Sequence, residues 1–163
     1  MTHIFSRDHP FALVYNARME VLAHDAFISS AAQCARRLTR TGEAATVLAL
    51  HGDLGSGKTT FVQALARELG VTDTPISPTF VIQKYYPLTG AAFDRLVHID
   101  AYRLESARQL EVLGWYDLVG DPTQLIAIEW PEHVAEAIPD SAQHIYFTYV
   151  DEDTRSIHYG KEN

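Results

Sequence analysis

Two kinds of apolar pattern recur along the chain. The segments Thr46–His51 (TVLALH) and Gln124–Glu129 (QLIAIE) are short and almost continuously apolar. Runs of that length predict strands buried on both faces of a parallel sheet. Elsewhere apolar residues return every three or four positions. Phe27, Ile28, Ala31, Cys34, Ala35 and Leu38 fall on one face of a helix over Ala26–Arg40, with Asp25 as its cap. Phe61, Leu65 and Leu69 do the same over Lys58–Leu69, and Gly70 ends that helix. Met19–His24 reads as a strand. Phe80–Tyr86 and Arg95–Asp100 read as strands on either side of the turn PLTG. Ser106–Leu113 is a short helix, and Pro131 suits the first turn of another. His144–Val150 and Arg155–Tyr159 flank Asp151–Thr154 as a closing hairpin. The order mixes β-α-β units with hairpins, which predicts a three-layer α/β domain with a partly antiparallel sheet.

The chain has 163 residues, so a single domain over 18–163 is expected, with residues 1–17 a loose extension of weak periodicity. Composition is that of a soluble globular protein, 47% hydrophobic and 21% charged. No apolar run approaches the roughly 18 residues of a membrane span, and the N-terminus lacks the apolar core of a secretory signal. One cysteine, Cys34, excludes an internal disulfide and fits a reducing, cytoplasmic setting. The net charge of −8, with 13 scattered basic side chains, disfavours strong direct binding of nucleic acid.

The candidate chemistry lies directly after the first buried strand. Gly52, Asp53, Leu54, Gly55, Ser56, Gly57, Lys58 and Thr59 satisfy G-x-x-x-x-G-K-[ST]. Glycines let the backbone turn with its N–H groups inward, forming an anion nest. The helix that starts at once adds its own unpaired N–H groups and dipole. Lys58 reaches the β and γ phosphates, and the Thr59 hydroxyl suits Mg²⁺. Thr60 is read as helix packing or an α-phosphate contact. The sequence context, apolar strand before and amphipathic helix after, favours this three-layer P-loop NTPase reading over a glycine-rich turn without ligand.

Binding phosphate is not hydrolysis, which needs a further acidic group and a residue that positions water. Two apolar strands end in carboxylates, LVHID at Asp100 and LIAIE at Glu129. Both face the nucleotide if their strands lie beside Thr46–His51. Spacing leaves open which would hold the metal and which would orient the water. Thr79, in SPTF, follows the P-loop helix, where γ-phosphate sensors stand in many switches. His51, His98 and His133 lack metal-site spacing; His51 and His98 read as hydrogen-bonded core residues at strand ends.

Together GDLGSGKTT, SPTF, HIDAYRL, LEVLGWYDL and IEWPE resemble the TsaE family of bacterial tRNA threonylcarbamoyladenosine biosynthesis ATPases, from about Val47 to Pro139. The resemblance implies that Thr59 and Glu129 are the protein ligands of Mg²⁺ and that Asp100 is needed for ATP hydrolysis. It implies a switch-like loop at Ser77, Pro78 and Thr79, with Trp130 on the site wall. It also implies partners of the TsaD and TsaB kind, with tRNA engaged only through them. Where the family often has a Thr and a Gly in its first helix, this chain has Ser29, Ser30 and Gln33, so adenine contacts are not assigned. A GTP switch is disfavoured, because Asn16 and Asn163 are the only asparagines and neither precedes a lysine. A P-loop small-molecule kinase, with Arg103 and Arg108 on a lid, and a non-enzymatic nucleotide-dependent scaffold are the alternatives.

Overall fold

The computed structural model describes residues 19–40, 42–72 and 82–160. Seven strands form one sheet: β1 (Glu20–Ala23), β2 (Thr46–His51), β3 (Gln83–Pro87), β4 (Arg95–Asp100), β5 (Gln124–Glu129), β6 (Gln143–Tyr149) and β7 (Thr154–Tyr159), in the spatial order β1-β7-β6-β2-β5-β4-β3. β2 pairs in parallel with β5 and β6, and β5 in parallel with β4. The outer pairs β3–β4, β6–β7 and β1–β7 are antiparallel. The sheet is therefore mixed, with the continuous apolar strands β2 and β5 at its centre, where burial on both faces requires such sequences.

Strand alternation sorts the core into two layers. On one face Leu48, Leu50, Leu96, Leu125 and Ala127 pack under α1 (His24–Arg37) and α2 (Lys58–Glu68) through Phe27, Ala31, Phe61 and Leu65. On the other, Val47, Ala49, Val97, Ile99, Ile126 and Ile128 meet α3 (Ala107–Val112), α4 (Trp115–Val119) and a 3₁₀ segment, Pro131–Ala137, through Leu110, Trp115 and Val134. Three layers result, as the sequence predicts.

Several local expectations are revised. Asp25 does not cap α1: Ala23 occupies the cap position without a side-chain bond, and Asp25 lies inside the first turn, where a carboxylate complements the helix dipole. That helix also ends at Arg37 rather than Arg40, because Leu38 turns extended to bury its side chain. α4 lies beyond the expected helix Ser106–Leu113 and was not anticipated; Gly114, at φ +82°, separates it from α3. The expected strand over Phe80–Tyr86 is described only from Ile82 onward, and β3 begins at Gln83. Residues 1–17 and the loop at Ser77–Thr79 lie outside the described residues.

Candidate functional site

After β2 the chain turns through Gly52–Gly57 into α2. Two glycines make the turn possible. Gly52 has φ +138°, and a Cβ there would lie 2.3 Å from the Phe147 carbonyl oxygen. Gly57 has φ +107°, and its Cβ would lie 2.9 Å from the Phe27 ring. No other residue type fits either position without moving its neighbours. Gly57 is also the cap position of α2 and supplies no side chain to the helix start. The first-turn N–H groups of α2 thus keep their capacity to hold an anion. Beneath the turn the Ser56 hydroxyl is fully buried without a hydrogen-bond partner, while its N–H donates to the Asp53 carbonyl at 3.1 Å. Leu54 and Gly55 form the exposed tip, and the Gly55 carbonyl accepts from Arg155 Nε at 3.2 Å.

Lys58, the first residue of α2, is buried with its ammonium over this turn. Nζ donates to the carbonyls of Gly52 (2.5 Å) and Asp53 (2.9 Å) and lies 4.1 Å from the Trp130 ring centroid. Burial pushes its pKa below the ordinary lysine value, and the neighbouring carboxylates of Glu129, Glu132, Asp100 and Asp53 partly offset that push. The ammonium is thus desolvated and held only by neutral acceptors. A phosphate group entering the cleft would replace those carbonyls with charge-assisted bonds, roughly twice as strong as neutral ones.

The parity of β4 and β5 brings the acidic groups to the same end. Leu96, His98 and Asp100 share the face of β4 toward α2, as Leu125, Ala127 and Glu129 do on β5. Glu129 pairs in register with Leu50 of β2 on one side and with Asp100 on the other. β5 therefore adjoins the P-loop strand, and β4 stands one strand further out. The Thr59 hydroxyl lies 2.9 Å and 3.0 Å from the two Glu129 carboxylate oxygens. His98 Nε2 lies 2.8 Å from Oε1 of the same carboxylate. Asp100 is 6% exposed, and its Oδ1 accepts from the Tyr102 N–H at 3.0 Å. Trp130 follows Glu129 in a left-handed conformation at φ +58°, with its N–H bonded to the Leu50 carbonyl, which aims the indole across Lys58.

These groups border a cleft of about 390 Å³ whose walls include Lys58, Thr59, Thr60, Asp100, Glu129 and Trp130. Sequence reading anticipated all six. It did not anticipate His24 and Phe27 from α1, Tyr102, Glu152 and Asp153 from the β6–β7 turn, or Arg155 from β7, which line the same cleft. Arg155 meets Gly55 across 100 positions of sequence, so no local motif could signal it. Both His51 and His98 are hydrogen-bonded strand residues, but His51, at the end of β2, is only half-buried, and His98 is buried inside β4 rather than at its end. His51 stacks on Tyr146 and lies 2.8 Å from His144 through ring nitrogens. Among the described residues no group of three or more His, Cys, Asp or Glu is arranged to hold a metal. The Thr59 hydroxyl and the Glu129 carboxylate could hold a divalent ion between them. Such an oxygen pair beside a phosphate cradle suits Mg²⁺, which keeps waters and takes its remaining ligands from phosphate.

Comparison with known proteins agrees with this architecture. Residues 27–157 match the family model "Threonylcarbamoyl adenosine biosynthesis protein TsaE". A tRNA threonylcarbamoyladenosine biosynthesis protein TsaE from Nostoc sp. is 37% identical over 121 residues, covering 72% of each chain. The protein of the same description from Bacillus subtilis is 37% identical over 68% of this chain and 66% of its own. That from Borreliella burgdorferi is 38% identical over 57% of this chain and 65% of the relative. The matched segment thus spans about two thirds of these relatives. The crystal structure of Bacillus subtilis YdiB superposes with a TM-score of 0.62 over 89% of this chain and 86% of that one, at 24% identity, which establishes a common fold.

Proposed function

Because the chain belongs to the TsaE family of threonylcarbamoyl adenosine biosynthesis proteins, we propose that it is a Mg²⁺-dependent ATPase supporting threonylcarbamoyladenosine modification of tRNA. It would act on an assembly of TsaB-like and TsaD-like proteins in the cytoplasm. The observation that carries the reading is the convergence of three groups at one strand end. These are the buried Lys58 ammonium, the Thr59 hydroxyl on both oxygens of Glu129, and a backbone turn closed to any side chain at Gly52 and Gly57.

In this reading Gly52 and Gly57 let the backbone approach the phosphates, and the α2 N-terminus and Lys58 neutralise them. Thr59 and Glu129 would hold Mg²⁺, which when bound supplies charge neutralisation on the phosphate oxygens. Asp100, in register with Glu129 at the cleft edge, would accept a hydrogen bond from the attacking water and so orient it. Trp130 would wall the cleft and keep the Lys58 ammonium dry. The Ser77–Thr79 loop would respond to the γ-phosphate and report the nucleotide state to a partner that favours one loop state. The net charge of −8 suits docking on proteins better than gripping tRNA unaided. No helix among the described residues is long and apolar enough to cross a membrane.

The test is phosphate release from ATP by the full chain, alone and with TsaB-like and TsaD-like proteins of the same organism. Slow turnover alone and stimulation by the pair are expected. Transfer of phosphate to a small metabolite would favour a kinase, and nucleotide binding with no turnover under any combination would favour a scaffold.

A further inference from the structure

We propose that His98 is a positioning residue for the divalent-ion site, holding the Glu129 carboxylate in the orientation that meets Thr59. This rests on the reading of Thr59 and Glu129 as the protein ligands. His98 lies within β4, one strand in from the β3 edge, on the face toward α2, and is fully buried. Its register partner on β5 is Ala127, whose single methyl group leaves room for an imidazole to lie across it. The ring crosses that gap and places Nε2 2.8 Å from Oε1 of Glu129, two residues further along β5. Its other nitrogen, Nδ1, is buried with no hydrogen-bond partner.

That unpartnered nitrogen argues against a packing role. Burying a polar atom without a partner opposes folding, and an apolar side chain of similar size would fill the space without that penalty. What the ring supplies in return is one N–H, delivered to Glu129. The carboxylate is thereby held from two sides, by the Thr59 hydroxyl and by His98. If Thr59 turns an oxygen lone pair to a cation, its O–H must swing and its grip on Glu129 shifts. The His98 bond then remains to fix the carboxylate. Groups that orient a metal ligand from behind in this way typically cost 10–100-fold in metal affinity when removed.

The test is calorimetric titration of a non-hydrolysable ATP analogue into the parent, His98→Leu and His98→Gln proteins, each with and without Mg²⁺. The glutamine amide N–H reaches about as far as Nε2. In His98→Leu the Mg²⁺ enhancement of affinity should drop by about 10–100-fold while affinity without Mg²⁺ stays nearly unchanged, and His98→Gln should recover most of the enhancement. A His98→Leu protein with the parent's enhancement would overturn the inference. Should His98→Leu fail to fold, His98→Asn, whose amide falls short of Glu129, replaces it. Loss in Asn but not Gln supports the role, and equal enhancement in both overturns it. A parent protein without any Mg²⁺ enhancement would instead refute the ligand reading beneath it.

Discussion

At the scale of single residues, the site depends on groups that are unfavourable where they stand unless a ligand uses them. Lys58 is desolvated, and its two acceptors are carbonyls of the turn it overhangs. Lys58→Ala should therefore weaken ATP binding by about tenfold to a hundredfold, the range of one lost charge-assisted hydrogen bond of about 1.5–3 kcal/mol. An unchanged dissociation constant in calorimetry would remove Lys58 from the phosphate site. Asp100 makes the opposite case. It lies beyond Glu129 from the P-loop strand, so Asp100→Asn should leave ATP binding nearly intact and abolish turnover. Persistent phosphate release by that variant would show that another group orients the water. The residue types of this site were legible in the sequence because each is dictated locally: glycines where the backbone must turn, a lysine and threonine at a helix start, carboxylates at strand ends. His98 was legible only as a buried strand histidine, since its partner lies 31 residues away on another strand.

At the scale of elements, α1 is part of the site even though its periodicity marks it only as core. Phe27 packs edge-on against Phe61 of α2 and Phe147 of β6, at ring centroid distances of 6.3 Å and 6.0 Å. The same ring lies against Gly57 and so backs the P-loop. Phe27→Ala should cost about 3–5 kcal/mol in denaturant unfolding, as large-to-small core changes do, and should also weaken nucleotide binding in the folded protein. A stability loss with unaltered nucleotide affinity would mean that the ring supports the core but not the turn. The β2–β6 pair carries a second element-scale consequence. Burial, reinforced by His51, holds the pKa of His144 below its ordinary value of 6.5. As pH falls below that value, the unfolded chain takes up a proton at His144 that the folded chain does not, so stability falls. The midpoint of thermal unfolding should therefore decline less between neutral pH and the folded-state pKa in His144→Gln than in the parent. Parallel curves for the two proteins would contradict this. Periodicity located β2, β5, α2 and the closing hairpin because each buries a long, regular face. It missed α4, only five residues long, and misplaced the start of α1, where no side chain caps the helix.

At the scale of the whole molecule, the sheet order does the assembling. Placing β5 between β2 and β4 sets Glu129 directly beside the P-loop strand and Asp100 one strand further, so that two carboxylates distant in sequence face one helix start. The sequence carries the two strand-end acids but not their lateral order, because strand order is a property of chain crossovers rather than of any local pattern. The closing β6–β7 hairpin completes the cleft from the far side through Arg155, which spans back to Gly55. The proposed function rests above all on Thr59 and Glu129 forming the protein half of a Mg²⁺–ATP site. The most direct measurement is the affinity of a non-hydrolysable ATP analogue for the parent and for Glu129→Ala, across a Mg²⁺ titration. The account predicts that Mg²⁺ tightens binding to the parent and that Glu129→Ala loses most of that gain while still binding the metal-free nucleotide. Identical Mg²⁺ dependence in the two proteins would contradict it.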